Sequence, residues 1–93
     1  MFTNPRVNVY ESSDGFSVEV VGFTRLCYRE GEKQMFVDSE MITGPALLVI
    51  WKSSVERWDP PHESEPVTDA DRDRIVENIR EAFRFQGVEI DVT

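Results

Sequence analysis

One cysteine, one histidine and no long apolar run are the first things this 93-residue chain withholds. A single cysteine excludes an internal disulfide. A single histidine would have to serve every role that a zinc site or an acid–base pair asks of imidazole. The longest apolar stretch, Ala46–Trp51, has six residues, against the roughly 20 that span a bilayer. The opening MFTNPRVNVY has no basic flank followed by an apolar core, so no signal peptide is expected and the chain reads as cytoplasmic. Its five glycines are scattered, which excludes a glycine-rich phosphate loop, and no G-x-S-x-G occurs.

Basic residues are also scarce. Ten Lys and Arg face eighteen Asp and Glu, for a net charge of −8. Phosphate binding works by Lys and Arg neutralisation, so neither nucleic acid nor a membrane surface is expected as a partner. A basic protein partner is compatible with this balance, because acidic surfaces steer such encounters. The excess is uneven: residues 1–58 carry six basic and eight acidic side chains, and residues 59–93 carry four and ten. Hydrophobic content of 40% is enough for one modest core, and the length suits a single domain over residues 1–93.

What the chain does have is patterned. Arg6–Tyr10 alternates with Val7 and Val9 on one face. Ser12–Gly15 is turn chemistry, and Phe16–Val21 puts Phe16, Val18 and Val20 together. Gly22 marks a bulge or bend. Thr24–Glu30 sets Leu26 and Tyr28 against Arg25, Cys27 and Arg29. Glu30–Lys33 is a hairpin turn, and Gln34–Asp38 points Met35 and Val37 inward. Thr43–Pro45 punctuates the chain again. ALLVIW (46–51) reads as a central strand covered on both faces, with Trp51 in the core. Lys52–Ser54 reads as a turn and Val55–Trp58 as an extended segment stopped by Asp59-Pro60-Pro61.

One helix is expected over about residues 69–86. Thr68 is its N-cap, with Asp71 placed as in a capping box. Ile75, Val76, Ile79, Ala82 and Phe83 form one apolar stripe, Arg80 and Arg84 favour the C-terminal end of the dipole, and Gly87 is the stop. Val88, Ile90 and Val92 alternate in a final short strand. A single apolar stripe must lie on the sheet. The fold class is therefore α+β: an antiparallel β-meander packed on one face by a C-terminal amphipathic helix, then a last strand.

The candidate chemistry concentrates in RWDPPHESEPVTDADRDRI, residues 57–75. Asp69, Asp71 and Asp73 imitate the start of a calcium loop, but the positions that need glycine and glutamate hold Arg74 and Arg80. On a helix, residues two apart diverge, so the three carboxylates are read as cap and dipole complement. His62 with Glu63 and Glu65 could begin a metal or acid–base site, yet lacks a second histidine or a nearby cysteine. Cys27, between Arg25 and Arg29, could be an activated thiol, but only His62 could serve as its base. No catalytic residue, metal or cofactor is expected. What remains is a stiff acidic edge beside an aromatic, and the expected protein-binding residues are Trp58, Asp59, His62, Glu63 and Glu65. A small structural domain that self-associates as a homodimer through a sheet face or edge is the competing reading.

Four stretches then carry a resemblance: T-R-L-x-Y-R-E-G (Thr24–Gly31), W-D-P-P (Trp58–Pro61), D-R-x-R-I-x-x-N-I-R (Asp71–Arg80) and F-Q-G-V-E-I (Phe85–Ile90). Together, over about residues 7–92, they resemble the bacterial immunity proteins of polymorphic toxin systems, in the group labelled immunity protein 74. The resemblance implies a non-enzymatic role: binding a cognate toxin domain and blocking its active site or substrate path. Many such toxins are basic nucleases, which would give the acidic balance a use. The resemblance carries no catalytic residues.

Overall fold

The computed structural model describes residues 2–22, 24–41 and 48–93. Seven strands form one sheet in sequence order: β1 (Phe2–Arg6), β2 (Val9–Ser12), β3 (Phe16–Val20), β4 (Arg25–Glu30), β5 (Lys33–Met41), β6 (Leu48–Ile50) and β7 (Ile90–Val92). Every neighbouring pair is antiparallel except β6–β7, which is parallel. A parallel pair needs a crossover, and here α1 (Asp69–Phe85) supplies it. The fold is α+β, as expected, with α1 on one face of the sheet. No helix among the described residues is long and apolar enough to cross a membrane.

The meander follows from its turns. Gly15 and Gly31 take φ of 95° and 62°, and the Gly31 N–H donates to the Gly15 carbonyl at 3.3 Å. The β2–β3 and β4–β5 turns therefore lie side by side at one end of the sheet. The first strand is a correction. Arg6–Tyr10 is not a strand but a hairpin, reversing at Val7-Asn8 with Arg6 opposite Val9. Asn8 adopts φ 66°, which asparagine tolerates better than most residues, and the Asn4 side-chain amide donates to the carbonyls of Arg6 and Val9. Val7 is consequently 83% exposed while Val9 is buried.

β6 is also not central. It is the penultimate strand, between β5 and β7. Leu48 and Ile50 are buried on the helix side, whereas Val49 and Trp51 are half-buried. Residues 43–47, including the expected turn and the start of ALLVIW, lie outside the described residues. Lys52–Ser54 forms one 3₁₀ turn, and Val55–Trp58 is extended without pairing.

α1 has the expected bounds within one residue. Thr68 Oγ1 accepts from the Asp71 N–H, and Asp71 accepts from the Thr68 N–H, each at 3.1 Å. At the other end Gly87 (φ 79°) permits a Schellman closure, with Val88 N donating to Phe83 O and Gly87 N to Arg84 O. Ile75, Val76, Ile79, Ala82 and Phe83 are all buried, packed with Val18, Leu26, Tyr28, Met35, Val37 and Ile50 of the sheet. Each buried aliphatic side chain contributes roughly 1.5–3 kcal/mol by removal from water, so this stripe is the main attachment of the helix.

Candidate protein-binding surface

The loop between the 3₁₀ turn and α1 is anchored from below. Trp58 is 2% exposed, its ring centroid 6.4 Å from that of Tyr28, with Lys33 Nζ 5.4 Å above it. Its indole fills the core beneath the loop and does not reach outward. Asp59 is joined to β5 twice: its N–H donates to the Gln34 carbonyl at 2.8 Å, and its carboxylate accepts from the Gln34 amide at 3.2 Å. Two tight reversals follow, His62 N to Asp59 O and Glu65 N to His62 O, each 3.0 Å, around the cis Pro60–Pro61 bond.

Glu65 is the hub of this loop. Lys33 Nζ lies 2.8 Å from one oxygen, and Nδ1 of His62, which must carry the proton to donate to a carboxylate, lies 2.7 Å from the other. These two donors, Lys33 first, hold the Glu65 carboxyl below the usual range. Glu63 is exposed and has no ion-pair partner among the described residues. Of the five residues expected to bind a partner, Trp58 is inside, Asp59, His62 and Glu65 are tied within the protein, and Glu63 alone is both exposed and unengaged.

The helical aspartates are likewise engaged. Asp69 pairs with Arg72 and Asp71 with Arg74, both at 2.7 Å, and Asp73 pairs with Lys52 at 2.8 Å. Arg74 continues inward to Glu30 of β4, where the Tyr28 hydroxyl donates to Glu30 at 2.7 Å and accepts from Asn78 at 2.9 Å. Among the described residues no three His, Cys, Asp or Glu side chains are grouped to hold a metal. Cys27 is buried, and burial outweighs Arg29 in pushing its thiol pKa up, away from the thiolate.

The sheet face away from α1 is different. Cross-strand register places Glu19, Cys27 and Phe36 in one row on that face, and Arg25 opposite Asp38 in the next. The Val21 N–H donates to the Arg25 carbonyl, which adds Val21 to the second row. Farther along, Glu40, Val49 and Asp91 form a third row across β5, β6 and β7. Trp51 keeps an extended backbone and donates to the Asp38 carbonyl at 3.1 Å, so it falls on the same side as Val49. Phe36 is 37% and Val21 42% exposed. A hollow of about 370 Å³ is lined by Thr24, Asp38, Ser39, Glu40 and Trp51. Sequence reasoning missed this face, although one trace was legible: Phe36 is out of phase with the inward Met35 and Val37, so it belongs to the polar side of its strand.

Charge sorts by surface too. Every acid of α1 has an ion-pair partner: Asp69, Asp71, Asp73, Glu77 and Glu81. Among the described residues the acids without one are Glu11, Asp14, Glu32, Asp38, Glu40, Glu56, Asp59, Glu63 and Asp91, on strands, turns and loops. The acidity concentrated by sequence around the helix start is thus largely neutralised on α1 itself, and the unneutralised acids lie on the sheet and its turns, with Glu56, Asp59 and Glu63 in the loop before the helix.

A family model described as Immunity protein 74 matches residues 18–93, from β3 to the end of the chain. No curated protein and no solved structure matches.

Proposed function

We propose, since the chain belongs to the immunity protein 74 family, that it is a non-catalytic immunity protein that neutralises a cognate bacterial toxin by binding it in the cytoplasm. The family match carries this reading: from Val18, within β3, it covers the rest of the sheet and α1 rather than a detachable motif. The acids left without internal partners support a basic partner surface, since complementary charge speeds encounter and fixes orientation. Asp59, His62, Glu63 and Glu65 remain proposed contacts at the turn end of the sheet, with Trp58 supporting them from within.

The test is co-expression with the toxin domain encoded beside this chain's gene. Protection of the host and a stable complex of the two purified proteins are expected. Toxicity undiminished by co-expression, together with no complex at micromolar concentration, overturns the reading.

A further inference from the structure

We infer that the partner docks on the sheet face opposite α1, with Phe36 as the apolar anchor and the hollow beside Trp51 receiving a lysine or arginine of the partner. This deepens the proposed function and rests on it. Four observations meet on this face. Phe36 on β5 and Val21 just past β3 are the large apolar side chains left in solvent there, while Val18, Met35 and Val37 on the opposite side of these strands are buried. Arg25, the cross-strand neighbour of Asp38, does not pair with it; its guanidinium lies 4.6 Å from the centroid of the Phe36 ring. Asp38 is therefore left without a cation, as are Glu40 on the same strand and Asp91 two strands away. The hollow itself combines the two carboxylate residues Asp38 and Glu40 with the half-buried Trp51.

That combination suits a cationic side chain. A guanidinium or ammonium is drawn both to a carboxylate and to the face of an indole, and its long methylene stem is covered by apolar walls. Tryptophan and arginine pairs of this kind are enriched among the few residues that dominate interface energetics. The other acidic surfaces are less apt. The acids of α1 already have partners, and at the loop Glu65 is held by Lys33 and His62 and Asp59 by Gln34, so that, among the described residues, Glu56 and Glu63 stand there without a hollow or an exposed aromatic beside them. A partner cation would have to displace those contacts before gaining its own, whereas Asp38 and Glu40 offer their charge with nothing to displace.

The probe is the purified toxin domain encoded beside the gene, titrated by calorimetry against four forms of the chain. Asp38→Lys/Glu40→Lys is expected to weaken binding by about 100-fold or more and Phe36→Ala by about 10-fold, with Glu81→Lys on α1 within about threefold of wild type. All four positions are exposed, and circular dichroism melts confirm the fold; should Phe36→Ala not fold, the charge-reversed form carries the test. Wild-type binding that survives both face variants overturns this inference and leaves the proposed function standing. So does loss of binding confined to Glu81→Lys, or a wild-type homodimer in sedimentation that both face variants dissociate. Absence of binding and protection by the wild type overturns both.

Discussion

Trp58, in the unpaired segment before the loop, and Phe36, on β5, are two aromatics whose surroundings give them opposite consequences. Trp58 is packed against Tyr28 and roofed by Lys33, so its removal leaves a cavity under the loop. Trp58→Ala is expected to lower stability by about 3–5 kcal/mol in urea titration, whereas Phe36→Ala costs under about 1 kcal/mol. Equal losses would mean that the two rings are equally buried. The Tyr28 hydroxyl supplies a subtler case. It sits between Glu30 and Asn78, and burial, reinforced by its bond to Glu30, pushes its pKa well up. Tyr28→Phe keeps the ring but leaves those partners facing an apolar edge, and a loss of about 1–2 kcal/mol is expected in the same titration.

Two carboxylates set a pH dependence. Arg74, then the Thr68 cap, lowers the Asp71 pKa, as Lys33 and His62 lower that of Glu65. Each is more readily ionised in the folded than in the unfolded chain. Their stabilisation is therefore complete above the ordinary carboxylate pKa of about 4 and is lost as pH falls through the lowered folded values. Thermal melts of Asp71→Asn and Glu65→Gln should lie below wild type at pH 7 and converge on it by pH 2. A gap that stays constant across this range would show that the carboxylate charge is not responsible.

At the scale of elements, α1 was legible almost residue by residue because everything that defines it is local: an N-cap three residues from its reciprocal acid, a stripe at period 3.6, a glycine at C′. Thr68→Ala is expected to cost about 1 kcal/mol by chemical denaturation, the usual worth of such a cap. The β-hairpins with glycine at positive φ were legible for the same reason. The first hairpin was not, since its reversal depends on Asn4 reaching across to two carbonyls and on Asn8, neither of which disturbs an alternating pattern of valines. Trp58 escaped for a related reason. Whether an aromatic beside a loop points in or out is decided by Tyr28 and Lys33, some 25–30 residues earlier in the chain. The acidic stretch 59–73 was correctly located, but its neutralisation by Lys33, Lys52, Arg72 and Arg74 is a property of the folded pairings, two of which bring in lysines from outside the stretch.

At the scale of the whole molecule, the sheet's two faces have different work. One holds α1 and nearly all the core; the other carries acids without partners around a partly exposed phenylalanine. The order of the strands has a consequence for time rather than for contacts. From β1 to β5 each strand pairs with its immediate neighbour in the chain across a short turn. Those hairpins close with little loss of chain entropy and can assemble in succession. The β6–β7 pair joins Leu48 to Ile90, so it must wait for a loop of roughly forty residues to be organised by α1. Rapid-mixing kinetics should therefore find Val18→Ala or Met35→Ala slowing folding, while Ile90→Ala leaves the folding rate nearly unchanged and accelerates unfolding. On these rates the parallel strand would join the sheet after the meander has closed, as a latch on it.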